Sequence, residues 1–203
     1  PDLTNDEYHG LQACSSSALT HLLKSPAYCE WRRTHEEEPS DALVLGDLCH
    51  IAALQPELFA ARFCGIGQCE AVTGKGTRCT NQGSVMLDGK PYCGVKSHAP
   101  AEGVPDPRKP VTVAQWNTAQ RVKEAVYRHP MAGTILNARD AVKEHAGVWV
   151  DPATGLLCKC KPDVRVESLA LLADLKVTVL ARPDDFPRFL RSNGVYRQAA
   201  HYL

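Results

Sequence analysis

The chain has 203 residues, enough for one domain with a real core or for one domain carrying a small appendage. Apolar residues make up 44% and charged residues 23%, ordinary for a soluble globular protein. Lysine plus arginine equals aspartate plus glutamate at 23 each, so global charge points to no polyanionic partner and any phosphate contact must be local.

No run of eighteen apolar residues occurs, and the N-terminus lacks a charged-then-apolar leader. The expectation is therefore an intracellular, cytoplasmic protein with no membrane partner. Because the first residue is Pro1, a leader ahead of it could be missing. Residues 14–62 read as helices. Ser15, Ser16 and Ser17 offer caps before Ala18, Leu19, Leu22 and Leu23, spaced three to four apart. Ser25-Pro26 stops that helix and starts another. From Ser40 a third helix carries Leu43, Leu48, Ile51, Ala52 and Leu54.

Residues 64–100 are rich in glycine and cysteine and poor in aliphatic side chains. Such a stretch buries little apolar surface and needs a metal to hold its shape. Nine cysteines, an odd number with no secretion signal, argue for metal binding in a reducing compartment rather than for disulfides. Cys69, Cys79, Cys93 and His98 supply three thiolates and an imidazole, a common structural Zn²⁺ set, with Cys64 able to replace one of them. The spacing is looser than a paired C-x-x-C finger. Lys75, Arg78, Lys90 and Lys96 give this insertion a basic surface, compatible with phosphate contact or with a solvated or protein-docking loop.

Residues 101–110, with three prolines, read as a linker, and 112–128 as a helix through Val113, Trp116, Ala119, Val122 and Val126. The period then changes to two. Residues 145–150, 156–166 and 169–179 read as strands, with 151–155 a turn, and the chain turns helical after Pro183. The expected division is thus 1–63 helical, 64–100 a metal-binding insertion, and 101–203 the rest of the core. Cys158 and Cys160 fall on an apolar strand face and are expected to be buried thiols. Trp31 and Trp116 suit helix cores, Glu36-Glu37-Glu38 a solvated acidic turn, and His201 takes no role.

The most informative segment is Pro162-Asp163 followed by Asp174-Leu175-Lys176. Residues two apart on a strand share a face, so Asp174 and Lys176 point the same way. A hairpin centred between Ser168 and Leu169 sets Asp163 opposite Asp174 and Lys161 opposite Lys176, with Cβ atoms about 5 Å apart. Two carboxylates that close repel unless a cation lies between them. Oxygen ligands with open positions suit Mg²⁺ or Mn²⁺. Alone, the hairpin fits equally an outward face of salt-bridged Asp and Lys.

Other segments break that tie. Pro162-Asp163 with Asp174-x-Lys176 resembles the motif of PD-(D/E)XK nucleases. Gly46-Asp47-Leu48-Cys49-His50 resembles the Gly-x-x-x-His helix of the RecE- and RecB-type branch, and Gln198 with Tyr202 its Q-x-x-x-Y motif. The opening, Tyr8 and then residues 14–19 and 25–28, is similar to RecE-like phage exonuclease domains. The resemblance covers nearly the whole chain except residues 64–100, and it implies an α/β restriction-endonuclease-like core, a mixed β-sheet flanked by helices, to which the small zinc-binding insertion is added. It implies catalytic Mg²⁺ or Mn²⁺ on Asp163, Asp174 and His50, with Glu144 as a further acidic ligand placed near residue 162. It gives Lys176 to the attacking water, and Gln198 and Tyr202 to substrate or to Lys176. It further implies double-stranded DNA ends as substrate, 5′-to-3′ exonuclease activity, a single-strand annealing recombinase as partner and a homo-oligomer. The family normally continues beyond the position of Leu203, so the resemblance implies a chain cut short there. Iron–sulfur relatives carry cysteines after the Q-x-x-x-Y helix, and this chain has none there. The rivals are an endonuclease on the same core and a zinc-containing DNA- or protein-binding module without catalysis.

Overall fold

The hydroxyl residues that offer helix starts are used as such. In a computed structural model describing residues 3–35, 38–100 and 102–203, Thr4 caps α1 (Asn5–Gly10), Ser15 caps α2 (Ser16–Leu22) and Ser25 caps α3 (Pro26–Thr34). Next come α4 (Asp41–Leu54) and α5 (Pro56–Arg62), then β1 (Phe63–Ile66), β2 (Val85–Leu87), β3 (Lys90–Tyr92) and β4 (Lys109–Thr112). Helices α6 (Val113–Arg128) and α7 (Pro130–Leu136) lead to β5 (Ala141–Lys143), β6 (Gly147–Val150), β7 (Leu157–Cys160), β8 (Val164–Val166) and β9 (Leu171–Ala173). The chain closes on α8 (Phe186–Ser192) and α9 (Val195–Tyr202). The fold is mixed α/β, with small sheets flanked by helices, and it contains both parallel and antiparallel pairs.

Packing divides the chain into two units, one from Asp41–Gly133 and one from Pro1–Ser40 together with Thr134–Leu203. In the first, α4 packs along α6, and the parallel pair β1–β4 lies beside them. Leu48, Ile51, Phe59, Phe63, Val111 and Ala119 form the core, with Phe59 and Trp116 rings 4.7 Å apart. Trp116 thus takes the core place expected of it. The cysteine-rich stretch belongs to this unit. Its β2–β3 hairpin turns through Asp88 and Gly89, both at positive φ, the geometry of a two-residue type I′ turn. Residues 101–110 are more than a linker. Asp88 N donates to Val104 O and Asp106 N to Met86 O, so the segment runs along β2 before entering β4.

In the second unit the three long strands expected between 145 and 179 are shorter and broken. Strand 156–166 divides into β7 and β8 around Lys161-Pro162-Asp163. Pro162 brings no N–H to a ladder, which is reason enough for an interruption. Opposite, β5 and β6 are separated by Glu144-His145-Ala146, with Glu144 at φ 55. Lys143 faces Val164 on one side of the break and Gly147 faces Cys160 on the other. Equal lengths are skipped on both strands, so the ladder is interrupted without slipping register. Strand 169–179 keeps only β9, and residues 174–179 leave the sheet. Cys158 is buried and Cys160 half-buried, as their apolar face implies. Trp31 departs from expectation. It is 41% exposed and stacks on His35, with ring centres 4.7 Å apart, because α3 has no buried residues. Glu36 and Glu37 of the expected acidic turn lie outside the described residues.

Candidate active site and metal centre

The candidate site is built where the antiparallel ladder is interrupted. β8 pairs with β9 so that Val164 faces Ala173, Arg165 faces Leu172 and Val166 faces Leu171. One step further, where pairing ends, this register sets Asp163 opposite Asp174. The loop is a 3-10 turn over Glu167–Leu169, closed by Ala170 in the left-handed region. Asp163 is 6% exposed, and its Oδ2 accepts the Leu175 backbone N–H, which turns the chain out of the sheet just after Asp174. On the other flank Glu144 N donates to Asp163 O at 3.0 Å, so Glu144 is level with Asp163 rather than with residue 162. A turn symmetric over 151–155 gives residue 162, whereas Val150 stands opposite Leu157, which centres the turn between Ala153 and Thr154 and moves the register by one. Oxygens of Glu144 and Asp163 come within 4.8 Å of each other.

Helix α9 brings the next groups. Gln198 and Tyr202 are one turn apart on one face. Gln198 Nε2 donates to Asp174 Oδ1 and to Tyr202 Oη, each at 2.9 Å. Tyr202 Oη in turn donates to Lys161 O at 3.4 Å. Lys176 Nζ is ion-paired with Asp174 Oδ2. Burial raises the Tyr202 phenol above its ordinary pKa, and the Asp174 and Asp163 carboxylates add to the shift while the Gln198 hydrogen bond opposes it. His50 stands on α4, half-buried, in the other unit.

Lys161 and Lys176, expected opposite each other, are not paired across the ladder, since both lie beyond the ends of β7 and β9. Lys161 Nζ instead lies 2.8 Å from Glu144 Oε2 and donates to Asn5 Oδ1 at 2.9 Å. Lys159 turns onto the end of α1, its Nζ donating to the carbonyls of Tyr8 at 2.7 Å and Leu11 at 2.9 Å, and burial lowers its pKa. That is a lysine neutralising a helix C-terminus. Tyr8 lies beside both ammonium groups, and its phenol is pushed up to about 12, first by burial and then by Tyr202, Cys160 and Glu144. Sequence reasoning missed Asn5 and Tyr8 as neighbours of the site and gave Lys161 the wrong partner, Lys176 in place of Glu144. The only signal was Lys161 sharing a strand face with Asp163.

A second cluster lies in the other unit. Cys69, Cys79, Cys93 and His98 present ligand atoms all within 4.8 Å of one another, a group able to hold a metal ion. The three cysteines are buried, and Cys93 Sγ is 3.2 Å from His98 Nδ1. The Asn81 backbone N–H points at Cys79 Sγ at 3.4 Å and its side chain at Cys93 Sγ at 3.7 Å. The Val95 backbone N–H above all, with His98 and Asn81, lowers the Cys93 pKa to about 6, favouring the thiolate that ligates. Gly83 is required here, since a Cβ would come within 2.9 Å of Gly67 O, Ile66 and Pro91. Cys64 stands outside the group on β1, its Sγ directed at the carbonyls of Arg108 and Lys109. Arg78, counted in the basic surface, is bound to Glu70 and to the carbonyls of Gln68 and Cys69.

A family model described as a PDDEXK-like domain of unknown function (DUF3799) matches residues 15–203. No curated protein matches the chain. No helix among the described residues is long and apolar enough to cross a membrane.

Proposed function

The chain belongs to the PDDEXK-like family, and from that premise we propose that it is a Mg²⁺- or Mn²⁺-dependent DNA nuclease, an exonuclease of RecE type. The observation that carries this reading is that Asp163 stands level with both Glu144 and Asp174 where the ladder is interrupted, with Gln198 and Lys176 on the Asp174 carboxylate and Tyr202 on Gln198. Glu144 and Asp163 present carboxylate oxygens within 4.8 Å of each other, hard ligands that fit a divalent ion, and the β8–β9 register sets Asp174 opposite Asp163. Asp163, Asp174 and Glu144 would hold the ion, and the resemblance of the Gly46-to-His50 segment to the Gly-x-x-x-His helix is the ground for His50 as a nitrogen ligand. When bound, the ion polarises the scissile phosphate and lowers the pKa of a bound water.

The protein's own groups do the positioning. Gln198 holds one oxygen of Asp174, leaving the other to fix the Lys176 ammonium. The Lys176 ammonium would orient the attacking water and, through its positive charge, favour loss of the water's proton to bulk solvent. Tyr202 keeps its proton at neutral pH, directs it at the Lys161 carbonyl and braces Gln198, the residue that holds Asp174. The Cys69, Cys79, Cys93 and His98 group holds structural Zn²⁺, since four protein ligands leave no open position for chemistry. An odd number of cysteines, clustered in one stretch, supports a reducing, intracellular setting. The Gly46-to-His50 and Gln198-to-Tyr202 motifs support 5′-to-3′ action on double-stranded ends. The same resemblance supports a homo-oligomer that feeds a single-strand annealing recombinase.

Linear and covalently closed circular duplexes with Mg²⁺ test this. End-labelled linear DNA is expected to be degraded from its 5′ ends while the circle survives. Asp174→Ala is expected to lower the rate by at least ~100-fold while thermal unfolding stays cooperative. Cleavage of the circle would replace the exonuclease with an endonuclease. Equal activity in native protein and Asp174→Ala would remove the catalytic assignment.

A further inference from the structure

Lys161 is tied into the carboxylate cluster from several sides. Its Nζ meets Glu144 Oε2 and Asn5 Oδ1, and lies 5.7 Å from the centre of the Tyr8 ring. The backbone fixes both members of the ion pair, Glu144 through its N–H on Asp163 O and Lys161 through its carbonyl, which takes the Tyr202 hydroxyl. An ammonium group therefore stands where a cluster built only for metal ions would present bare negative charge.

We propose that Lys161 takes the place of a second metal ion, so that the site holds one divalent cation rather than two. This rests on the nuclease reading above. Charge decides between the two stoichiometries. Glu144, Asp163 and Asp174 bring three negative charges, and Lys161 and Lys176 return two positive ones. Lys159 stays out of this balance because it is spent on the α1 carbonyls. One divalent ion and one phosphodiester then bring these groups to neutrality. A second ion would leave two positive charges uncompensated in a site where Lys161 and Glu144 are largely shielded from water, and burying unpaired charge is costly. Lys161 acts as a positioning residue, neutralising Glu144 and keeping it from recruiting a further ion.

The test is a Mn²⁺ titration of the zinc-loaded chain, read from the electron paramagnetic resonance signal of free Mn²⁺, without substrate. Native protein is expected to bind one Mn²⁺ at this site. Lys161→Met is expected to bind a second, or to bind the first at least ~tenfold more tightly, and Lys161→Arg to restore single binding. Two ions on native protein would overturn the inference and leave the nuclease reading intact. Unchanged number and affinity in Lys161→Met would overturn it as well. Absence of any Mn²⁺ binding would remove the nuclease reading and this inference together.

Discussion

Tyr8 gives the site a pH dependence that its hydroxyl alone would not suggest. Its pKa rises from 10.0 to about 12 on folding, because burial and neighbouring acidic groups disfavour phenolate. A raised acid contributes stability that is whole below the unfolded value and is lost as pH climbs to the folded one. The loss therefore falls between 10.0 and about 12. Tyr202 works in the same direction, and Lys159, its pKa lowered by burial, in the opposite one. Tyr8→Phe removes one titrating group from this balance. Urea midpoints measured across that alkaline range should fall less steeply for Tyr8→Phe than for native protein, and equal slopes would contradict the assignment. At this scale the sequence exposes which residues share a strand face. It does not expose partners 150 residues away, such as the carbonyl of His9 that Lys159 reaches.

Among the elements, α6 is the best test of local coding. Thr112 accepts the Gln115 backbone N–H, and Gln115 reaches back to the Thr112 N–H, a complete capping box at the head of a helix that carries Trp116 and Ala119 into the core. Thr112→Ala should cost about 1 kcal/mol, read as a lower denaturant midpoint with an unchanged slope. A cost near zero would mean that packing against α4, rather than the cap, sets where α6 begins. Helices of this kind were legible because caps and apolar spacing are local. The β8–β9 register was legible for a related reason, since alternation and loop centre define it. Strand lengths were not. Alternation continues through Pro162, where the missing N–H ends the pairing, and three-residue β5 is too short to show a period. The Asp88-Gly89 turn was a readable signal that went unused.

At the scale of the whole molecule, composition and packing divide the chain differently. The contiguous reading broke it at 63 and 100, where residue types change. Packing returns the N-terminal helices to the last third, through Cys14 N on Leu157 O and Lys159 N on Cys14 O, and long-range pairing leaves no mark in local composition. The cysteine-rich stretch is where composition spoke most directly about stability. Its buried cluster is three thiols flanked by Ala71 and Tyr92, far too little apolar surface to offset the entropy of ordering residues 67–100. The proposed Zn²⁺ would supply the difference. Protein isolated without chelator should carry about one Zn²⁺ per chain. Stripping it with a thiol-competing chelator should expose the amides of Cys69, Cys79 and Ser84 to hydrogen exchange, since their bonds to Asn81, Ala71 and Tyr92 hold the knuckle. The amides of β7 and β8 belong to a ladder with no share in that cluster and should keep their protection. Protection that persisted at Cys69, Cys79 and Ser84 after complete zinc removal would mean that the hairpin and its glycine turns hold the stretch unaided.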